Sequence, residues 1–127
     1  MTYLLDTNTF LWASGAPRAL SGRARRICQS SAARRVVSAA SLWEIAMKCS
    51  TGKLAIFNPT ATLPVWLANL EARVLPVGEA HAYAAYGLPL IHKDPFDRML
   101  VAQAVSEDLT VVTGDEIIQR YPVKWVW

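Results

Sequence analysis

Short apolar runs alternate along the chain with longer segments in which apolar residues recur at helical spacing. The apolar runs predict five β-strands, at residues 2–5, 35–38, 73–75, 109–113 and 123–126. The intervening segments predict a brief helical turn over residues 116–120 and helices that begin near Thr9, Ser21, Ser41, Leu63, Glu79 and Pro95. Short strands that alternate with helices are typical of an α/β fold, so we expect a mainly parallel sheet.

The strongest helix signal follows Asp94. This aspartate stands where an N-cap residue is expected, and Pro95 occupies the first helical position, where its missing N–H has no cost. Asp97 then falls in the first turn, where the helix dipole favours negative charge. The apolar side of this helix is formed by Phe96, Met99 and Leu100. Both aspartates could serve only the helix end, so the positions of the other acidic residues decide whether they do more.

The composition predicts a single globular domain over residues 1–127. Hydrophobic residues make up 53% of the chain and charged residues 18%, which indicates a large core with apolar surface left for a partner. No apolar run approaches the roughly 20 residues of a membrane span, and the opening residues lack the basic start of a signal peptide. Cys28 and Cys49 fall on separate predicted helices without metal-type spacing, so we expect reduced thiols and a cytoplasmic location.

Positive charge is concentrated in one short segment. The formal net charge is only +3, but six of the thirteen Lys and Arg residues are Arg18, Arg23, Arg25, Arg26, Arg34 and Arg35. Such a run is most often a solvated helix face, and contact with nucleic-acid phosphates is the more specific alternative.

Four of the ten acidic residues occupy positions that a parallel sheet would bring together. Asp6 and Asp115 follow predicted strands, and Glu44 and Asp97 lie in the first turns of predicted helices. Ligands bind beyond the carboxyl ends of parallel strands, and Mg²⁺ or Mn²⁺ would offset the repulsion of four carboxylates there. Each acid also has a structural alternative. Asp6 could cap the following helix, Ser41 and Glu44 match a capping box, and Asp115 could belong to a turn.

Four motifs contain these acids: Leu4-Leu5-Asp6-Thr7-Asn8, Ser41-Leu42-Trp43-Glu44-Ile45, Asp94-Pro95-Phe96-Asp97-Arg98 and Val112-Thr113-Gly114-Asp115. In order and spacing they resemble the motifs of PIN-domain nucleases, and more narrowly those of VapC-type toxins of toxin–antitoxin pairs. The resemblance covers nearly the whole chain. One position departs from the closest subgroup, which often carries His where this chain has Asn8.

The resemblance implies a PIN-like three-layer sandwich, with a sheet of five parallel strands and helices on both faces. It also implies that Asp6, Glu44, Asp97 and Asp115 are the catalytic, metal-binding acids. A protein of this kind cleaves RNA with Mg²⁺ or Mn²⁺, usually forms a homodimer and is held inactive by a cognate antitoxin. With such a metal, an activated water would attack the phosphodiester, and no histidine is required as the base.

Other polar residues receive supporting roles. The neutral groups placed to orient water or a carboxylate are Thr7, Asn8 and Thr113. The candidates for contact with the RNA backbone are Arg23, Arg26 and Arg98. Lys48 is expected to pair with Glu44 along the helix, and we interpret His81 and His92 as structural.

Two other functional classes remain open. A non-catalytic RNA- or protein-binding domain could share the fold, although the intact set of four acids argues against it. A small metal-dependent phosphatase would need a nucleophilic aspartate with a second acid two residues later, and position 8 is Asn.

Overall fold

The computed structural model describes all 127 residues, and we number its five strands and six helices in chain order. The strands are β1 (Thr2–Leu5), β2 (Arg34–Ser38), β3 (Ala72–Leu75), β4 (Thr110–Val112) and β5 (Trp125–Val126). The helices are α1 (Thr7–Gly15), α2 (Gly22–Gln29), α3 (Ala39–Ser50), α4 (Pro59–Asn69), α5 (Glu79–Tyr86) and α6 (Pro95–Glu107). Two 3₁₀ turns, Pro17–Ala19 and Ile118–Arg120, complete the regular structure. No helix is long and apolar enough to cross a membrane.

All five strands are parallel, in the order β3-β2-β1-β4-β5. The first strand therefore lies at the centre and pairs with β2 on one side and β4 on the other. Because every strand runs in the same direction, their carboxyl ends share one edge of the sheet. The side chains that follow β1, β2 and β4 are thereby collected at this edge.

Consecutive apolar residues of the inner strands enter two different cores, because neighbouring side chains of a strand point to opposite faces. The core on the α6 side includes Leu4, Val36, Leu100, Val101 and Val111. The opposite core, which receives side chains from α1 to α4, includes Leu5, Phe10, Val37, Ile45 and Val112. These two cores confirm the expected three-layer α/β architecture with helices on both faces of the sheet.

Three helices begin earlier than the sequence pattern predicts. The α1 helix starts at Thr7 rather than near Thr9, because the side chain of Asp6 caps it. The α3 helix starts at Ala39, because the hydroxyl of Ser38 accepts a hydrogen bond from the N–H of Ala40 at 3.0 Å and caps the helix. The structural alternative of a capping box at Ser41 and Glu44 is therefore excluded, and Glu44 lies in the second turn rather than the predicted first turn. The α4 helix starts at Pro59 rather than near Leu63, since proline is well suited to a first helical position.

One member of the arginine cluster is buried. The side chain of Arg35 is only 5% exposed, so the expectation that it belongs to a solvated or phosphate-binding face is wrong. Its guanidinium donates to main-chain carbonyl oxygens of Ile27, Ser30, Ala33 and Leu70. These carbonyls lie at the ends of α2 and α4 and beside β2, and Arg35 ties them together. By contrast, two candidates for RNA contact on α2, Arg23 and Arg26, are exposed.

Candidate functional site

Asp6 lies at the carboxyl end of the central strand and caps α1. Its Oδ1 accepts a hydrogen bond from the N–H of Thr9 at 2.7 Å, which bears out the capping role. The hydroxyl of Thr9 donates to the carbonyl oxygen of Val112 at 2.9 Å and fixes this corner to β4. Burial raises the pKa of Asp6, hydrogen bonds from Thr113 and Thr9 lower it, and the charge of Asp115 raises it. A second role at the sheet edge is therefore compatible with the cap.

Glu44 is buried and anchored to the neighbouring elements. The hydroxyl of Thr7 donates to its Oε1 at 2.9 Å and lies 2.9 Å from the hydroxyl oxygen of Ser41. The Nζ of Lys48 lies 2.8 Å from its Oε2, which is the pairing along the helix that the sequence predicts. The hydrogen bond to Glu44 raises the pKa of Lys48, and the charges of two aspartates at the start of α6 raise it further. The ammonium of Lys48 is thus held in the field of several acids.

The two aspartates of α6 have different partners. Asp94 caps the helix, because its Oδ1 accepts hydrogen bonds from the N–H groups of Phe96 and Asp97 at 2.9 and 3.0 Å. Asp97 instead contacts the loop before α6, where its Oδ2 lies 3.1 Å from Nε2 of His92. Burial raises the pKa of Asp97 to about 6; the His92 hydrogen bond lowers it, and the charges of Asp94 and Asp115 raise it.

Asp115 stabilises the turn that follows β4. Its Oδ1 accepts hydrogen bonds from the N–H groups of Ile117 and Ile118 at 2.8 and 3.4 Å, so the structural alternative also holds for this residue. Gly114 precedes it, and a Cβ there would lie 2.7 Å from the ring of Trp127. The close approach of this ring leaves no room for a side chain beside Asp115.

Three of the four acids influence one another at the carboxyl edge of the sheet, although they form no ready-made metal centre. The charge of Asp115 raises the pKa of both Asp6 and Asp97. No three His, Cys, Asp or Glu side chains are spaced to hold an ion. Asp97 and Asp115 each use one carboxylate oxygen in hydrogen bonds, and the second oxygen of each accepts none from the protein. An all-oxygen donor set under mutual repulsion fits a hard divalent cation.

The neutral residues near the acids differ in their surroundings. Thr7 is buried against Glu44, and Thr113 is fully buried, with its hydroxyl accepting the N–H of Asp115 at 3.0 Å. Asn8 is exposed, and its side chain makes no hydrogen bond within the chain. Thr7 therefore binds a carboxylate directly, whereas Thr113 holds the main chain of Asp115.

Arg98 braces the loop that precedes α6. Its guanidinium donates to the carbonyl oxygens of Pro89, Ala85 and Leu88 at 2.7, 3.1 and 3.5 Å. It also donates to the hydroxyl of Tyr121 at 3.2 Å. These bonds commit Arg98 to the protein rather than leaving its donors free for RNA.

The sequence does not reveal that His92 connects Asp97 to Tyr121. The second ring nitrogen of His92 lies 2.7 Å from the hydroxyl of Tyr121. Because 29 residues separate His92 from Tyr121, no local spacing pattern predicts this pair. Only the packing of the Ile118–Tyr121 segment against α6 brings them together.

An apolar groove lies beside the acids. It has a volume of about 500 Å³ and is lined by residues that include Trp43, Val77, Phe96 and Met99. Trp43 is 63% exposed and packs edge-on against Phe96, with ring centroids 5.2 Å apart. A large exposed aromatic side chain in such a groove is typical of an interface anchor.

Comparisons with known proteins agree with this architecture. A family model described as PIN domain matches residues 3–124. No curated protein sequence matches the chain. The structure of VapBC2 from Rickettsia felis bound to a promoter DNA fragment aligns with a TM-score of 0.75 at 17% identity, covering 99% of this chain and 98% of that chain. DNA-bound VapBC from Salmonella typhimurium gives 0.70 at 21% identity, covering 99% and 97%. A toxin–antitoxin complex from Klebsiella pneumoniae gives 0.66 at 13% identity, covering 98% and 96%.

Proposed function

Because the chain belongs to the PIN domain family, we propose that it is an Mg²⁺- or Mn²⁺-dependent endoribonuclease and the toxin of a toxin–antitoxin pair. The observation that supports this proposal is that the charge of Asp115 acts on both Asp6 and Asp97, while Glu44 binds the hydroxyl of Thr7, the residue next to Asp6. We assign the metal to these four acids. Their oxygen-only chemistry and the repulsion that Asp115 exerts on Asp6 and Asp97 support the assignment.

In the proposed mechanism the metal supplies the chemistry, and residues of the chain position the carboxylates and the RNA. A bound Mg²⁺ or Mn²⁺ would lower the pKa of a water molecule and offset the charge that develops on the scissile phosphate. Thr7 holds Glu44 through its hydroxyl, and Thr113 supports the turn of Asp115. Arg23 and Arg26 are exposed and remain candidates for contact with RNA phosphates, which would position the substrate without selecting its sequence.

Removal of divalent metal tests the proposed reaction. We expect the purified protein to cleave structured RNA in the presence of Mn²⁺, to lose this activity in excess EDTA and to recover it when Mn²⁺ or Mg²⁺ is restored. The physical reason is that the acids alone cannot offset the phosphate charge. The measurement is the cleavage rate on labelled RNA, with product ends mapped.

An Asp97→Asn variant purified in parallel controls for contaminating nuclease. If the parent protein is fully active in EDTA and this variant is inactive there, the metal mechanism is contradicted. Absence of cleavage under every metal condition would instead favour the non-catalytic binding domain.

We further propose that an antitoxin covers the apolar groove and directs a basic side chain toward the acids, and that the protein forms a homodimer. The exposed Trp43 supports a macromolecular partner at this groove. The similarity to a complex described as toxin–antitoxin favours an antitoxin as that partner.

The product of the neighbouring gene is expected to inhibit cleavage and to change tryptophan fluorescence, because it would bury Trp43. A Trp43→Ala variant should bind it at least about tenfold more weakly, as expected for a buried aromatic anchor. Phe57→Ala is the matched control, since Phe57 is 92% exposed and does not line the groove. Titration followed by fluorescence and by residual cleavage measures both effects. Unchanged fluorescence and unchanged cleavage would show that this product is not the inhibitor.

A further inference from the structure

A series of hydrogen-bonded side chains contacts one of the two carboxylate oxygens of Asp97. The Oδ2 of Asp97 lies 3.1 Å from Nε2 of His92, and Nδ1 of the same ring lies 2.7 Å from the hydroxyl of Tyr121. The Nη1 of Arg98 donates to that hydroxyl at 3.2 Å. Four residues from the loop before α6, from α6 itself and from the segment after Asp115 thus form one connected network.

The network determines which nitrogen of His92 carries the proton. Arg98 can only donate, so the hydroxyl oxygen of Tyr121 acts as its acceptor. The phenol proton is then available to Nδ1 of His92, which is far closer than the alternative acceptor, the His92 carbonyl oxygen at 3.5 Å. With Nδ1 as acceptor, the neutral ring carries its proton on Nε2 and donates it to Asp97. We assign this tautomer from the hydrogen-bond partners.

The network is also rigid. Tyr121 is 3% exposed, and its ring packs against that of His92 with centroids 5.5 Å apart. Arg98 is held by three main-chain carbonyl oxygens of residues 85–89. Because Tyr121 holds the His92 ring, its Nε2–H restricts rotation of the Asp97 carboxylate. A donor on a mobile side chain would not restrict it.

We propose that His92 is a positioning residue of the metal site: it holds Oδ2 of Asp97, leaving Oδ1 for the ion, and Tyr121 keeps its ring in the donating tautomer. This inference rests on the proposed metal-dependent function. Groups that hold a metal-binding carboxylate orient it before the ion arrives, and losing such a group typically weakens metal binding or activity about 10- to 100-fold. A purely structural histidine would instead affect stability alone.

Mn²⁺ affinity, measured by calorimetry or by the electron paramagnetic resonance of free Mn²⁺, separates these two roles. We expect His92→Phe to raise the Kd for Mn²⁺ about tenfold or more, because the ring shape remains while both nitrogens are lost. His92→Gln should restore most of the affinity, since its amide N–H can replace Nε2–H. Tyr121→Phe keeps the buried ring, removes only the hydroxyl and should weaken binding less than His92→Phe. In RNA cleavage, His92→Phe should have a lower kcat than the parent at low Mn²⁺ and a parent-like kcat at saturating Mn²⁺. The KM for RNA should be unchanged.

His81 provides the matched control, because it is the other histidine that pairs with a carboxylate of α6. Its Nε2 lies 2.8 Å from Oε1 of Glu107, at the opposite end of that helix from Asp97. His81→Phe should lower the unfolding temperature and leave the Kd for Mn²⁺ unchanged. Parent-like Mn²⁺ affinity in a folded His92→Phe variant would overturn the inference. If that variant does not fold, parent-like affinity in Tyr121→Phe would overturn it. Failure of the parent protein itself to bind Mn²⁺ would overturn the proposed function, and the role of His92 with it.

Discussion

Asp97→Asn is expected to abolish metal-dependent RNA cleavage while leaving the metal-free protein at least as stable as the parent. The substitution removes a proposed metal ligand, so the cleavage rate should fall at least about 100-fold, beyond the usual loss of a supporting group. The increase in unfolding temperature that Mn²⁺ gives the parent should also largely disappear, because stabilisation by a ligand follows its affinity for the folded state. Cleavage assays and thermal unfolding with and without Mn²⁺ measure both effects.

The difference in stability between the metal-free parent and metal-free Asp97→Asn is expected to increase with pH. Burial raises the pKa of Asp97 from 3.8 to about 6, so the folded protein binds this proton more tightly than the unfolded chain does. The metal-free parent therefore loses stability as the pH rises from about 4 to about 6, and Asp97→Asn does not share this loss. Above pH 6 we expect the variant to be more stable by about 1 to 2 kcal/mol, after allowance for partial solvent exposure. The difference should vanish near pH 4.

Asp94→Ala is the control for this experiment. It removes the cap that accepts the N–H groups of Phe96 and Asp97, so it should lower the free energy of unfolding by about 1 kcal/mol. Cleavage and the response to Mn²⁺ should remain close to those of the parent. If Asp94→Ala loses the metal response while Asp97→Asn cleaves normally, the two assignments are reversed.

Arg35→Met is expected to produce the largest loss of stability among the arginine substitutions. The Nε of Arg35 donates to the Leu70 carbonyl oxygen at 2.7 Å, and Nη1 donates to those of Ile27 and Ser30 at 2.8 and 2.6 Å. These carbonyls belong to the ends of α2 and α4, where helices leave acceptors without partners and where positive charge is favoured. Losing several charged hydrogen bonds to partly buried acceptors should cost at least about 3 kcal/mol. Urea unfolding measures this change.

Arg34→Ala supplies the comparison, because Arg34 is the exposed neighbour in the same strand. Its substitution should change the free energy of unfolding by no more than about 0.5 kcal/mol. An unchanged urea midpoint for Arg35→Met, combined with weaker RNA binding, would return Arg35 to the phosphate-binding role that its burial argues against.

The sequence predicts the parallel sheet and its order of elements well because these depend on local patterns. Apolar runs such as those of β1 and β4 are short, β-branched or aliphatic, and bounded by polar residues, so they are recognisable without tertiary information. The cap at Asp94 is equally local, since the residue and the N–H groups it accepts lie within three positions. The positions of Asp6, Asp97 and Asp115 relative to strand and helix ends follow from the same patterns, whereas Glu44 lies one turn deeper in its helix than they predict.

Contacts between distant segments escape this reasoning. A run of arginines does not reveal which member turns inward, and the carbonyl that Arg35 binds at Leu70 lies 35 residues away. Ser41 matches a capping box in spacing, yet Ser38 is the cap, because α3 follows β2 without an intervening loop. The contact of His92 with Tyr121 likewise depends on how the segment after Asp115 folds back. The supporting residues of the candidate site therefore required the structure.

The central position of β1 has a consequence for the order in which the protein matures during translation. Its first neighbour, β2, follows soon after it, but the carbonyl of Val112 that receives the Thr9 hydroxyl is synthesised 103 residues later. A nascent chain therefore carries Asp6 and Glu44 on an incomplete sheet until β4 and Asp115 leave the ribosome. Pairing over such a separation is also slow to form. The proposed metal site is therefore incomplete in the nascent chain, because Asp97 and Asp115 are synthesised long after Asp6 and Glu44.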